Sequence, residues 1–169
     1  WGFSEYVVVN ENELYKAPSN VPFEELALGE PLSCVIHGVR KLDIKLGDDV
    51  VIIGGGTMGL LNLIVTKLRG ARTIVSEINP ERLLKASEMG ANATINASEE
   101  EPVERVKALT DSRGTNFVIA AFGSDKVNEQ ALKMLDRGGR LVLFAAAYPS
   151  MPLELDPNQI HSTKIIISG

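Results

Sequence analysis

With 169 residues, 44% of them hydrophobic, the chain carries enough apolar material for one sizeable core, so one compact domain with appendages is expected. Its formal net charge of -5 supplies no basic field for phosphate backbones or anionic lipid, which argues against nucleic acid and membrane partners. One cysteine, Cys34, excludes an internal disulfide or a CxxC metal knuckle, and no apolar run approaches the ~18 residues of a membrane span, so a cytoplasmic location is expected.

Residues 3–10 read as an extended strand, and Pro18, Asn20 and Pro22 then mark turns, a context unlike the rest of the chain. The chain does not begin with Met and is expected to start inside a longer gene product. A helix should open near Glu30-Pro31 and run through Val35, Ile36 and Val39 to Leu42, before Gly47, Asp48 and Asp49 break it. From about residue 49, short β-branched runs alternate with helical periodicity, the pattern of βαβ units in a parallel sheet.

The first strand, residues 50–53, is apolar throughout, as expected of a central strand covered on both faces. Its helix should bury Leu60, Leu61, Ile64, Val65 and Leu68, turn Asn62, Thr66, Lys67 and Arg69 outward, and stop at Gly70. The second strand, residues 73–76, leads to Asn79 as an N-cap and Pro80 at the first helical position, with the helix ending at Met89 and Gly90. A short strand at 93–95 precedes a helix begun by Pro102, with Val103, Val106 and Leu109 on one face. The fourth strand covers 117–121, and the helix after Ser124 should bury Val127, Ala131, Leu132 and Leu135. Gly138-Gly139 turn the chain into a strand at 141–144. Pro149, Pro152 and Pro157 punctuate a link, and Ile165-Ile166-Ile167 form the last strand. These elements predict an α/β protein: a Rossmann doubly wound, six-stranded parallel sheet.

The segment Gly54-Gly55-Gly56-Thr57-Met58-Gly59 fits G-x-G-x-x-G and lies between a predicted strand and a predicted helix. Gly54 would permit the tight turn, Gly56 the approach of a pyrophosphate to backbone, and Gly59 close helix-to-strand packing. The helix N-terminus, at Thr57 and Met58, then offers free N–H groups and positive dipole. Glu77 stands at the end of the second strand, about 20 residues on, where a carboxylate accepts hydrogen bonds from the adenosine ribose and repels a 2′-phosphate. NAD is therefore the expected cofactor, rather than NADP. A methyltransferase binding its cofactor at a similar turn is the structural competitor, but it would normally end its sheet in an antiparallel hairpin strand, for which there is no signal.

Taken together these stretches resemble the medium-chain dehydrogenase/reductase superfamily, most closely its zinc-dependent alcohol, sorbitol and threonine dehydrogenase branch. The resemblance runs through Gly2-Phe3-Ser4-Glu5-Tyr6-Val7-Val8-Val9, Glu30-Pro31-Leu32-Ser33, the glycine turn, Glu77-Ile78-Asn79, Gly90-Ala91 and Gly138-Gly139-Arg140-Leu141-Val142. It implies a coenzyme-binding domain at 30–169, with residues 1–29 the end of a GroES-like catalytic domain. It further implies an alcohol or polyol substrate, zinc in the full-length enzyme with Glu30 near or on the metal, and an inactive fragment when this chain stands alone. Arg82 is implied to reach the ribose, Cys34 to pack on the nicotinamide ring, and Phe144, Ala145 and Gly169 to meet the carboxamide. Cys34 reads equally as a buried helix cysteine.

Glu30, Cys34 and His37, at i, i+4 and i+7, could imitate a metal site, but three ligands from two helical turns do not close a tetrahedron. His37 is expected as a satisfied interior or interface histidine. Two other functions fit the same features: a zinc-free quinone reductase of the superfamily, and a stand-alone nucleotide-binding redox sensor. Leu153 and Leu155, alternating with Glu154 and Asp156, read as a half-buried strand at an apolar edge, so a homo-oligomer is expected.

Overall fold

The computed structural model describes residues 3–147 and 153–169, and the chain divides into two compact units, Trp1–Glu30 and Pro31–Gly169. The expectations attached to Gly2, Pro149 and Pro152 lie outside the described residues.

In the first unit a 3-10 turn, Glu11–Glu13, is capped by the Asn10 side chain, which accepts the Asn12 N–H at 3.0 Å, and a short helix α1 spans Phe23–Leu26. The strand expected at 3–10 is absent. Val7, Val8 and Val9 have strand propensity, but no described segment supplies the ladder partner that propensity needs, and all three are exposed.

The second unit is the α/β domain. Helix α2 (Gly29–Leu42) leads into β1 (Asp49–Ile53), α3 (Thr57–Leu68), β2 (Arg72–Glu77), α4 (Pro80–Glu88), β3 (Ala93–Asn96), α5 (Pro102–Leu109), β4 (Thr115–Ala120), α6 (Asp125–Met134), β5 (Leu135–Leu143), α7 (Pro157–Thr163) and β6 (Ile166–Ser168). The sheet has six strands in the order β3-β2-β1-β4-β5-β6, all parallel. Alternation along β1 divides the core. Val50 and Ile52 pack with Val35, Val39, Leu63 and Ala86 on one face; Val51 and Ile53 pack with Val103, Val106, Ala131 and Met134 on the other. No helix among the described residues is long and apolar enough to cross a membrane.

Helix α3 is rotated from the expected orientation. Asn62 and Thr66 are fully buried beside Leu61 and Leu63, whereas Leu68 is 81% exposed and Ile64 also faces out. The cause is Gly59, which must lie against the sheet because a Cβ there would overlap the carbonyl oxygen of Gly54. Residues three, four and seven positions on share its face, and these are Asn62, Leu63 and Thr66. Thr66 is accommodated because its hydroxyl donates to the Asn62 carbonyl at 2.7 Å. Asn62 Nδ2 donates to the Met58 carbonyl at 2.9 Å, but its Oδ1 is buried with no partner among the described residues.

Four further differences are local. Helix α6 buries Met134, and Leu135 instead opens β5, which starts well before Gly138. Gly138, at φ +73°, and Gly139 sit inside that strand, and its register against β4 shifts between Thr115 and Phe117, so the glycine pair is an irregularity rather than a turn. Helix α7 was not expected, although Asp156 caps it by accepting the Asn158 N–H at 2.8 Å and Pro157 opens it. Residues 153–156 form no strand, and Leu155 is exposed.

At the amino ends of the strands, Asp49 accepts from Arg72 Nε, and its carbonyl accepts from the Thr115 hydroxyl at 2.9 Å. The Asp49 carboxylate holds the Arg72 guanidinium above its ordinary pKa. This end is fastened by side chains, which leaves the carboxyl ends free to form loops.

Replacing Asn62 by the similarly sized leucine removes an unsatisfied buried acceptor whose burial costs about 1–3 kcal/mol. Urea denaturation should find Asn62→Leu equal to or up to about 1 kcal/mol more stable than the parent. A loss beyond about 1 kcal/mol would show that the Asn62 side-chain Oδ1 has a structural partner.

Candidate coenzyme site

The strand order reverses direction between β1 and β4: the chain winds outward through β2 and β3 on one side and through β5 and β6 on the other. Helices that diverge from such a point leave a crevice outside the carboxyl ends of the strands. The glycine turn closes β1 at this point, and Glu77 ends the neighbouring β2.

Each fingerprint glycine has a distinct physical reason. Gly54 has φ +109°, a conformation that side chains disfavour, and its N–H donates to the Ser76 carbonyl at 2.8 Å, tying the turn to β2. Gly59 allows α3 to close onto the Gly54 carbonyl. Gly56 is the N-cap of α3 and has no capping side chain; a Cβ placed on it would meet nothing within 4 Å. The space above Gly56 is therefore open, and the first N–H groups of the helix have no intrahelical acceptor. A pyrophosphate fits this cradle. Thr57 is exposed beside it, while Met58 packs against the core and holds the first turn down.

Glu77 is 8% exposed. Its Oε2 accepts the Gly55 N–H at 2.7 Å, and its Oε1 accepts the N–H groups of Ile78 at 2.8 Å and Asn79 at 3.1 Å. Arg82 Nη1 lies 3.6 Å from Oε2. Of the roughly four acceptor positions of a carboxylate, three are taken by backbone, which leaves one on Oε2 for a ribose hydroxyl. Burial pushes the Glu77 carboxyl toward the neutral form, but the N–H groups of Gly55, Asn79 and Ile78 and the Arg82 charge together outweigh it, so its pKa lies below the usual range. Arg82 is itself placed by the Asn79 side chain, which accepts the N–H groups of Glu81 at 2.9 Å and Arg82 at 3.1 Å.

The N–H groups of Phe144 and Ala145 donate to the Ala120 carbonyl at 3.1 and 3.0 Å, so this strand end has carbonyls rather than amides to offer. The Phe144 ring packs against Gly38 of α2. The Gly169 carbonyl accepts from Lys41 Nζ. Cys34 is exposed on α2, which removes its reading as a buried helix cysteine, and His37 is exposed rather than interior. Glu30 is exposed in the first turn of α2, at the last residue before the unit boundary. Among the described residues no group of three or more His, Cys, Asp or Glu side chains could hold a metal ion, so Glu30, Cys34 and His37 do not form one.

Three residues at the site escaped the sequence reading. Gly55 occupies a variable position of the fingerprint yet touches Glu77. Ile78 and Phe122, 65% and 59% exposed, present apolar surface at the ends of β2 and β4. The available signal was an apolar residue directly beyond a strand that ends at the crevice.

A carboxyl whose folded pKa is depressed adds stability above its unfolded pKa, and that stability is lost as pH falls through the folded value. Urea denaturation should therefore find Glu77→Gln less stable than the parent near pH 7, with the gap closing below about pH 4.3. A gap that stays constant with pH would contradict the ionised, backbone-bonded Glu77.

The zinc-binding dehydrogenase family profile matches residues 57–169. Relatives include an L-threonine 3-dehydrogenase of Symbiobacterium thermophilum, 34% identical over 91% of this chain and 43% of its own length. A sorbitol dehydrogenase of Ovis aries is 37% identical over 85% of this chain and 42% of its own. Among solved structures, an alcohol dehydrogenase from Thermus sp. ATN1 superimposes with a TM-score of 0.81 at 31% identity, over 92% of this chain and 45% of that one. A zinc-binding dehydrogenase from Sinorhizobium meliloti 1021, bound to NADP, reaches a TM-score of 0.89 at 29% identity, over 98% of this chain and 49% of that one. The chain thus spans less than half the length of these relatives. With the glycine turn, the acid at the end of β2 and the six-stranded parallel sheet in place, the chain belongs to the zinc-binding dehydrogenase family, and the domain it carries is that family's coenzyme-binding Rossmann domain.

Proposed function

We propose that this chain is the NAD-binding part of a dehydrogenase that moves hydride between NAD and a secondary alcohol or polyol. The observation that carries the reading is the buried, ionised Glu77 beside the open Gly56 cradle at the point where the strand order reverses. The relatives named as threonine, sorbitol and alcohol dehydrogenases support an alcohol or polyol substrate. When bound, the nicotinamide ring supplies the hydride acceptor.

The chain's own residues bind and orient. The amides of Gly56, Thr57 and Met58 hold the pyrophosphate, and Glu77 accepts a ribose hydroxyl with Arg82 alongside. Ile78 and Phe122 give the base apolar surface, and Phe144, Ala145, Gly169 and Cys34 line the nicotinamide end. Zinc is a different matter. A catalytic zinc takes three protein ligands, and the described residues provide no such group, so no step is assigned to the metal in this chain and Glu30 is at most one contributor. On this reading residues 1–29 are the end of a GroES-like catalytic domain, 30–169 the coenzyme domain, and the chain alone does not turn over substrate. The whole protein works in the cytoplasm.

A second reading, acceptance of NADP, is favoured by the NADP-bound relative and by the partly exposed Arg82 guanidinium, a ready partner for a 2′-phosphate. The buried negative charge of Glu77 opposes it. Titration calorimetry should show NADH binding at least about 10-fold tighter than NADPH, a difference of about 1.4 kcal/mol, with Glu77→Ser narrowing the gap. Preference for NADPH by the parent chain would overturn the NAD assignment.

The reading extends to a homo-oligomer formed through β6, the outermost strand among the described residues, where Ile166 is 50% exposed. Light scattering at high micromolar concentration should give a dimer that Ile166→Lys dissociates. A monomer at that concentration would remove the edge pairing.

A further inference from the structure

Glycine at position 55 is not required by backbone conformation, since Gly54 has a left-handed φ and Gly55 does not. Space requires it. A Cβ on Gly55 would come 3.1 Å from Glu77 Cγ and 3.3 Å from both Glu77 Cβ and Arg82 Cβ, tighter than ordinary van der Waals contact. The Glu77 side chain therefore lies across the bare Cα of Gly55, and its carboxylate turns back to take the Gly55 N–H at 2.7 Å.

The opposite oxygen of the same carboxylate takes the N–H groups of Ile78 and Asn79, where β2 passes into α4. One ionised side chain thus bridges two backbone segments, the glycine turn and the β2 to α4 connection. Hydrogen bonds to an ionised acceptor are the strong ones, and this acceptor is shielded from water. The reach matters as well. Aspartate, one methylene shorter, cannot keep the contacts at the end of β2 and also meet the Gly55 N–H without moving one segment toward the other.

We propose that Gly55 and Glu77 are a matched pair in which the missing side chain of one admits the long side chain of the other, and that Glu77 thereby positions the turn that receives the pyrophosphate. Glu77 then has two separable duties: it accepts a ribose hydroxyl and it orients the phosphate cradle. Gly55 acts through Glu77 as a positioning residue. The inference rests on the coenzyme reading for the identity of what the cradle holds, but the pairing itself is a property of the chain.

The test uses the full 169-residue chain and four forms: parent, Glu77→Asp, Gly55→Ala and the double variant. Each keeps the charge, and the backbone of residue 55 accepts alanine without a left-handed strain. The first readout needs no nucleotide. In Glu77→Asp the Gly55 amide resonance should move upfield and its hydrogen exchange should accelerate about 10-fold, as expected when a bond to a charged acceptor is lost.

The second readout is affinity for ADP and for 2′,3′-dideoxyadenosine 5′-diphosphate, which has no ribose hydroxyl to offer. Glu77→Asp should weaken the dideoxy compound by about 10-fold. A residue that only reads ribose would leave that affinity unchanged. Gly55→Ala should weaken both ligands, and the double variant should bind better than the product of the two single losses, because a shorter acid fits over a methyl group.

An unmoved Gly55 amide with unchanged dideoxy affinity in Glu77→Asp overturns the proposal, as do single losses that simply multiply. If the parent binds neither ADP nor the dideoxy compound, the coenzyme reading falls, and the Gly55 amide decides the pairing by itself. Thermal unfolding of all four forms checks that each is folded. If one single variant fails to fold, a folded double variant is the rescue that the pairing predicts, and a double variant that also fails to fold contradicts it.

Discussion

The contact on which the rest of this domain depends is the approach of Gly59 to the carbonyl of Gly54. No side chain fits between them, so the first turn of α3 is drawn down onto the end of β1, and the helix N-terminus is aimed at the crevice. The same contact fixes the rotation of the helix. Once Gly59 faces the sheet, the 3.6-residue period carries Asn62, Leu63 and Thr66 inward and leaves Ile64 and Leu68 outside. An internal position is thus given to a polar pair for the sake of the turn. Thr66 satisfies itself on the preceding helical turn, whereas the Asn62 side-chain Oδ1 has no partner among the described residues.

A second constraint is electrostatic. The end of β2 presents a carboxylate to a cluster of backbone N–H groups, and these donors keep it ionised against the cost of burial. Two opposite fields then lie side by side at the crevice: a positive helix terminus with open space above Gly56, and a fixed negative charge at Glu77. A molecule with a diphosphate at one point and hydroxyls at another matches that pattern, whereas a second phosphate near Glu77 does not. The amino ends of the strands show the contrast, since there the Asp49 carboxylate is taken up by Arg72 and its carbonyl by the Thr115 hydroxyl.

Much of this was legible in the sequence because the signals are local. The unbroken apolar run of β1, the glycines at its end and the Asn79-Pro80 start of α4 all act within a few residues, and each appears where its chemistry predicts. What escaped depends on contacts distant in sequence. The orientation of α3 is set by one glycine meeting backbone, which outweighs the hydrophobic count of its faces. Gly55 looked like filler because its partner lies 22 residues away. The valines of residues 7–9 have strand propensity but no described partner strand. Helix α7 is the exception, for Asp156-Pro157 is as local a start as Asn79-Pro80, and the surrounding prolines were read as a link. Glu30, Cys34 and His37 on α2 were already discounted as a metal set from the sequence, because spacing along a helix aligns side chains without making them converge.

Backbone amide NMR during titration with ADP-ribose decides whether the crevice at the ends of β1, β2 and β4 receives a dinucleotide. Saturable shifts should concentrate at residues 54–59 and 77–82, with smaller changes near Ala121 and Phe122. Shifts confined to the groove that Glu101, Lys107, Lys126 and Gln159 line between α5, α6 and α7, or no saturable shift at millimolar ligand, would contradict it.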